Sequence, residues 1–503
     1  MAVMSFLGTL NAENKERIPQ VLVIGDSLYQ GPAGKAGQAL KGRVKIVSGN
    51  HQGYHSGLAL EHFDELLLGK KWDLIHFNFG MNDLMHRDPA TKSIRAMHRD
   101  VGGIMVSNPK EYEDNLNELV KKFKGTGAKL IWASTTPIVG DNGVLVAGTE
   151  VEYNTIASRV MEKHGVIIND MHTYGKSIHA TMPKNHGKTY SYNGGSPLHT
   201  QMTRMILKEL GIAKRVKGPL KAFVMIGGKV SVGHGVVKGW SKPNPEGTIG
   251  TLDDLVLNEK TKDKFSHLVD KEGNWATRSD VWMRFDGKFV VTGPHGTRYA
   301  GDRRQNKIGT EYSLGITLGN HFDEQVFIYK PAFGDPALVT DLASPSSGKT
   351  GRQYKRMLQK IRESLERLHL TYPEFQNDLG VKLSGFILNI GERDQDIALY
   401  QECLPAFIKD LRKEFSNDTL PVVIVGSGRG GHEQTHAPEL IKAQQAVSNL
   451  PEFKNNVVFT ETRGFWPKAE TSPNKIKEEW LGNAESFYQM GEAIGNDLLT
   501  LLK

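Results

Sequence analysis

Three short stretches hold residue types that could carry ester chemistry. Val21, Leu22, Val23 and Ile24 run into Gly25-Asp26-Ser27, so a serine closes an apolar strand. A second strand runs out through Asn78, Phe79, Gly80, Met81, Asn82 and Asp83. Far downstream, Ser196-Pro197-Leu198-His199-Thr200 precedes a helical run. A serine at the C-terminal edge of a parallel sheet stands where open α/β folds bind ligands. The helix that follows lends backbone N–H groups to an anion. Taken alone, Gly-Asp-Ser reads more readily as a turn with a helix cap. Asn82 can offer its side-chain amide to a developing oxyanion, and the N–H groups of Ser27 and Gly53 would complete the cradle. Donors of this kind are worth about 3 kcal/mol each in a transition state. His199 could take the Ser27 proton, with His186 as the alternative base.

The rest of the chain must position these residues. Apolar strand-like runs alternate with helical patterns through residue 210: VLVIGDS, WDLIHFNFG, AKLIWASTTP and HGVIIND against LALEHFDELLLG, EYEDNLNELVKKFKGTG and EYNTIASRVMEKHG. Each helical run reaches a Gly before the next strand, a helix stop. This alternation implies a parallel sheet with helices on both faces. His86 to Pro109 reads as a loop insertion. KRVKGPLK, residues 214–221, reads as a linker between a domain at 18–213, behind an extension at 1–17, and a second at 222–503. The second half alternates too, through KAFVMIGGKVSVGHG, QVFIYKPAFGD, YKRMLQKIRESLERL, VKLSGFILNIGERD, LPVVIVGSG and NAESFYQMGEAIGNDLLTLL, with residues 236–310 reading as loop-heavy.

Composition narrows the functional classes. The chain has 503 residues and a net charge of +7 from 63 basic and 56 acidic side chains, without a block of like charge. That argues against nucleic acid as a partner. One cysteine, Cys403, supports neither a disulfide framework nor a Cys-based metal site. No zinc-ligand spacing occurs, and no cofactor is expected. No apolar run reaches the roughly 18 residues of a membrane span. The N-terminal run MAVMSFLGTLNAENK lacks a basic leader; the expected location is periplasmic or secreted, with the cytoplasm as the alternative.

Gly-Asp-Ser, Gly-Met-Asn-Asp and the late histidine resemble the ordered blocks of the SGNH (GDSL-type) hydrolase superfamily over residues 18–212. The resemblance implies a three-layer, flavodoxin-like α/β/α fold and removal of O-acetyl or similar short acyl groups from carbohydrates. Ser27 would be the nucleophile and His199 the base. Gly53, Asn82 and the Ser27 amide would form the oxyanion hole, with Asp26, Asp83 and Ser196 in support. The family usually has Asp three residues before the His; here Ser196 stands there, so His199 would act in a dyad or take its partner from elsewhere.

FVMIGGKVSVGHG, LSGFILNIGERDQD and LGNAESFYQMGEAIG resemble a second SGNH type, the sialate O-acetylesterase-like domain of carbohydrate esterase family 6. That family's Gly-Gln-Ser falls on Gly227, Gly228 and Lys229, and its Gln-Gly-x-Asn/Ser-Asp on Ile390, Gly391, Glu392, Arg393 and Asp394. Its histidine falls on Glu479. The resemblance implies a scaffold that has lost serine chemistry. Lys229, Arg393, Asp394 and Glu479 would then form a structural ion-pair cluster, a site for an acidic or polar glycan, or an acid/base centre on Asp394 or Glu392. Ser231 is a displaced nucleophile candidate. Trp240, Trp275 and Trp282 could stack sugars or pack a core. GRGG at 428–431 lacks the acidic partner of a dinucleotide site. His86 and His98 read as loop residues. The expectation is a serine esterase acting on an acetylated carbohydrate, with two α/β domains of which the first is active. The alternative is a non-catalytic glycan binder.

Overall fold

The computed structural model describes residues 17–49, 54–91, 95–181, 197–213, 216–238, 249–287, 290–301, 307–331 and 334–503. Gly53, His186, Ser196 and Trp240 lie outside the described residues, as does the side chain of Ser27. The chain divides into two compact units, Met1–Ala213 and Lys214–Lys503.

In the first unit, strand β1 (Gln20–Gly25) leads through a 3-10 turn at Ser27–Tyr29 into helix α1 (Gln30–Ala39). There follow β2 (Lys45–Ser48), α2 (Ser56–Glu61), β3 (Leu74–Asn78), the single turn α3 (Met81–Leu84), α4 (Pro109–Gly125), β4 (Lys129–Ala133), α5 (Thr149–His164), β5 (Ile167–Asn169), α6 (Met171–Thr181) and α7 (Leu198–Glu209). The strands pair in the order β2-β1-β3-β4-β5, all parallel. The four residues Val21–Ile24 are buried because both sheet faces carry helices. Helix α4 shows why the pattern reads as it does. Asn108 and Glu111 form a capping box, and Tyr112, Leu116, Leu119, Val120 and Phe123 form the buried stripe. LALEHFDELLLG, read as one helix, breaks at His62 into Ser56–Glu61 and Phe63–Leu66.

The second unit has a seven-stranded sheet. Its strands are β6 (Leu220–Gly227), β7 (Arg278–Asp286), β8 (Val290–His295), β9 (Val326–Pro331), β10 (Val381–Asn389), β11 (Val422–Val425) and β12 (Val457–Thr460). The order is β8-β7-β9-β6-β10-β11-β12. β8 is antiparallel to β7, so this sheet is mixed rather than wholly parallel. Its helices include α8 (Lys229–Val232), α9 (Glu311–His321), α10 (Arg352–Glu366), α11 (Ile397–Glu414), α12 (Pro438–Ser448) and α13 (Ala484–Leu501). The stretch read as loop-heavy supplies both β7 and β8. Its charges disguise a strand: Arg278 pairs with Asp280 at 2.8 Å and Arg284 with Asp286 at 2.8 Å, partners two apart on one strand face. Trp282 lies within this sheet, stacked on Tyr372 at 4.6 Å, and Trp275 packs against a core cluster; neither is a free sugar platform. Leu220 and Lys221, read as linker, open β6.

Candidate functional site

In each sheet the first strand, β1 (second of five) or β6 (central of seven), has neighbours on both sides, and ligands of such sheets bind at the switch point where the crossovers diverge. In the first unit β1 ends at Gly25 beside Asn78, the last residue of β3. The backbones approach so closely that a Cβ on Gly25 would lie 1.9 Å from the Asn78 carbonyl oxygen, and its φ of 137° suits glycine.

Asp26 turns inward from this edge. Its carboxylate accepts from the Met81 N–H at 2.9 Å, the Asn82 N–H at 3.1 Å and Asn82 Nδ2 at 2.8 Å. It thereby ties the turn after β3 to the end of β1. Burial pushes its pKa up to about 7, against the pull of these donors. Asp83 accepts from the Ser56 N–H at 3.1 Å, Ser56 Oγ at 2.6 Å and Ser107 Oγ at 2.7 Å, which fixes the start of α2. Burial raises it to about 6. Arg87, read as part of a loop, is a buried member of this cluster. Its Nη2 donates to Asn82 Oδ1 at 3.3 Å. Only its four-residue spacing from Asp83 hints at it in the sequence.

Asn82 differs from the expectation. Its amide is not held ready for an oxyanion, because Nδ2 donates to Asp26 and, at 3.3 Å, to the Tyr54 carbonyl. An amide nitrogen carries two hydrogens, and both have acceptors here. The Tyr54 contact is the longer of the two and the one an oxyanion can replace.

Ser27 opens the 3-10 turn directly after Asp26. His199 is the second residue of α7, not a loop residue, and is half-buried. Helix α7 packs on α1. Just beyond their C-terminal ends, Arg43 Nη2 donates to the Ile212 carbonyl at 3.0 Å. Neighbouring helices of 10 and 12 residues joined at their C-terminal ends run the same way, so their N-termini share the other end. Ser27, ahead of α1, and His199, in the first turn of α7, therefore lie at that end together. Tyr174 Oη steadies the entry to α7 by donating to the Pro197 carbonyl at 3.2 Å.

Strand register aligns the second unit with the first independently of sequence motifs. β6 ends at Gly227 beside Asn389 of β10, as Gly25 stands beside Asn78, and a Cβ on Gly227 would lie 2.3 Å from the Asn389 carbonyl oxygen. Counting on from these glycines, Lys229 stands for Ser27, and counting on from the paired asparagines, Arg393 stands for Asn82 and Asp394 for Asp83. Asp394 keeps the structural role. It accepts from the Leu338 and Val339 N–H groups at 2.8 and 2.9 Å, beyond β9, as Asp83 does beyond β2. The chemical positions change. Lys229 is exposed, and Arg393 Nη1 donates to the Asp335 carbonyl at 3.0 Å. Glu479 is pinned by Lys307 at 3.2 Å and His234 at 3.3 Å. His234, half-buried, is pushed down to about 4 by desolvation and by the nearby lysines, against the pull of Glu479. Trp480 and Leu481 follow with φ of 53° and 55°, successive left-handed residues costing roughly 1–2 kcal/mol each. Ser231 is buried behind Gly227. Among the described residues no His/Cys/Asp/Glu group is arranged to hold a metal ion, and no helix is long and apolar enough to cross a membrane.

Family models match both units: GDSL-like lipase/acylhydrolase over residues 23–200, and carbohydrate esterase, sialic acid-specific acetylesterase over 219–471, about half of the chain. No curated protein matches. Among solved structures, the chain is similar to an α/β hydrolase from the metagenome of Lake Arreo, at 17% identity and TM-score 0.31, covering 39% of this chain and 97% of that one. An acetylxylan esterase from Geobacillus stearothermophilus is similar at 16% identity and TM-score 0.31, covering 38% and 94%. A lipase/acylhydrolase from Enterococcus faecalis is similar at 14% identity and TM-score 0.30, covering 38% and 96%. The chain belongs to the carbohydrate esterase, sialic acid-specific acetylesterase family, carries a GDSL-like lipase/acylhydrolase domain ahead of that match, and is a carboxylic ester hydrolase of the carbohydrate acetylesterase class.

Proposed function

We propose that the first domain removes O-acetyl groups from a carbohydrate through Ser27 and His199, and that the second has lost serine chemistry and serves as a scaffold or glycan-binding module. The carrying observation is the parallel packing of α1 on α7, which brings the starts of both helices to one end of the domain. Ser27 Oγ attacks the ester carbonyl and passes its proton to His199. The oxyanion is met by the Ser27 and Gly53 N–H groups and by Asn82 Nδ2, which exchanges the Tyr54 carbonyl for it. His199 returns the proton to the leaving sugar oxygen. A water, deprotonated by His199, then cleaves the acyl-serine and releases acetate. Asp26 and Arg87 hold Asn82 throughout.

Hydrolysis of p-nitrophenyl acetate and of an acetylated xylo-oligosaccharide tests the reading. Ser27→Ala and His199→Ala should each lower kcat by about 10³-fold or more. Turnover that persists in Ser27→Ala, or none in the wild type on any acetylated glycan, would instead support a two-domain glycan-binding protein.

A further inference from the structure

The second domain's switch-point edge holds a cluster unlike a serine site. Lys229 is exposed, and its side chain has no hydrogen bond or ion pair to any described residue. Asp335 lies over Gly228, where a Cβ would come within 2.0 Å of its Oδ1. Arg429 reaches Glu478 through Nη1 at 3.2 Å and Glu392 through Nη2 at 3.7 Å. Its Nε is buried and has no hydrogen-bond partner among the described residues. A half-buried indole adjoins them. Trp466 packs on Gly431, two residues beyond Arg429, and lies edge-on to Trp480 at 5.2 Å. Trp466 and Trp480 also share an apolar cluster with Val230, the residue after Lys229.

Both signs meet in this cluster: Lys229, Arg393 and Arg429 stand with Asp335, Glu392 and Glu478, and Asp341 lies 3.8 Å from Arg393. An anionic ligand would face carboxylates, and a cationic one cations. A polyhydroxyl ligand suits both signs, because each hydroxyl can donate to a carboxylate and accept from a guanidinium or ammonium. Burial raises the Asp335 and Glu392 carboxyls from their ordinary values, against the pull of the nearby cations. The apolar face of a sugar ring fits an indole.

We infer that Lys229, Glu392, Arg429 and Trp466 bind an uncharged stretch of the carbohydrate chain at the edge where serine chemistry has been lost. This rests on the reading of the second domain as a glycan-binding module. The full-length chain carrying Ser27→Ala is titrated calorimetrically with xylohexaose, cellohexaose and mannohexaose, and with 3′-sialyllactose as the anionic probe. At least one neutral hexasaccharide should bind, and more tightly than sialyllactose. Its affinity should fall about tenfold with Glu392→Gln and with Lys229→Ala, whose exposed side chain can be removed without opening the core. Binding of none of the neutral probes overturns the inference. So does binding that neither substitution weakens, or a preference for sialyllactose. The esterase reading stands or falls separately, on p-nitrophenyl acetate turnover by wild type and Ser27→Ala.

Discussion

Asp26 is the residue on which the first site turns. It is buried, and its folded pKa of about 7 stands above the ordinary aspartate value of 3.8. A carboxyl raised on folding favours the native state below its unfolded pKa. That contribution is lost as pH climbs from about 4 to about 7, and three units correspond to roughly 4 kcal/mol. Asp83, raised to about 6, acts in the same direction. His76, buried in β3 and pushed down to about 4, acts oppositely, losing native stability as pH falls from 6.5. The difference between wild type and Asp26→Asn therefore isolates the one carboxyl. Urea midpoints at pH 5 and pH 7.5 should show wild type losing more stability over that rise than the variant; equal losses would mean that Asp26 titrates normally. The residue-level reading of the sequence singled out Asp26, Asn82 and Asp83 because strand ends and turns are local. It missed Arg87 and the engagement of Asn82 with Tyr54, because both depend on side chains meeting across separate turns.

Among the elements, β9 and α9 are joined by a buried ion pair. Lys330 Nζ lies 2.6 Å from Glu311 Oε2 and donates to the Tyr299 carbonyl at 2.8 Å, while Glu311 accepts from the Gly309 N–H at 2.9 Å. Both side chains are at most 2% exposed. A buried pair with its remaining hydrogen bonds made tolerates joint replacement better than loss of one partner, which costs about 3–5 kcal/mol. Lys330→Met should therefore lower the second domain's denaturation midpoint sharply, and adding Glu311→Gln should recover much of the loss. A double variant as unstable as the single one would show that packing, not the stranded charge, sets the cost. At this scale the strands VLVIG, LIHFN and KLIWA were legible because they are buried on both faces and carry unbroken apolar runs. β7 was not, because charges paired along one of its faces interrupt the pattern that marks a strand.

Across the whole molecule, one domain is proposed to perform the chemistry and the other to hold sugar. A fluorophosphonate that captures activated serines should add a single group per chain, on the peptide containing Ser27; a second adduct within residues 219–471 would restore serine chemistry to the second domain. The sequence by itself determined the α/β class and the order of the strands and helices that carry unbroken apolar patterns, since these follow from apolar periodicity along the chain. Tertiary structure decided the rest. It supplied the register that sets Lys229 where Ser27 stands, the shared direction of α1 and α7, and the commitment of Asn82 to Asp26. It also decided that Trp282 belongs to a core. Each of these depends on which surfaces are desolvated together, and contacts between segments a hundred residues apart leave no periodic trace in the chain.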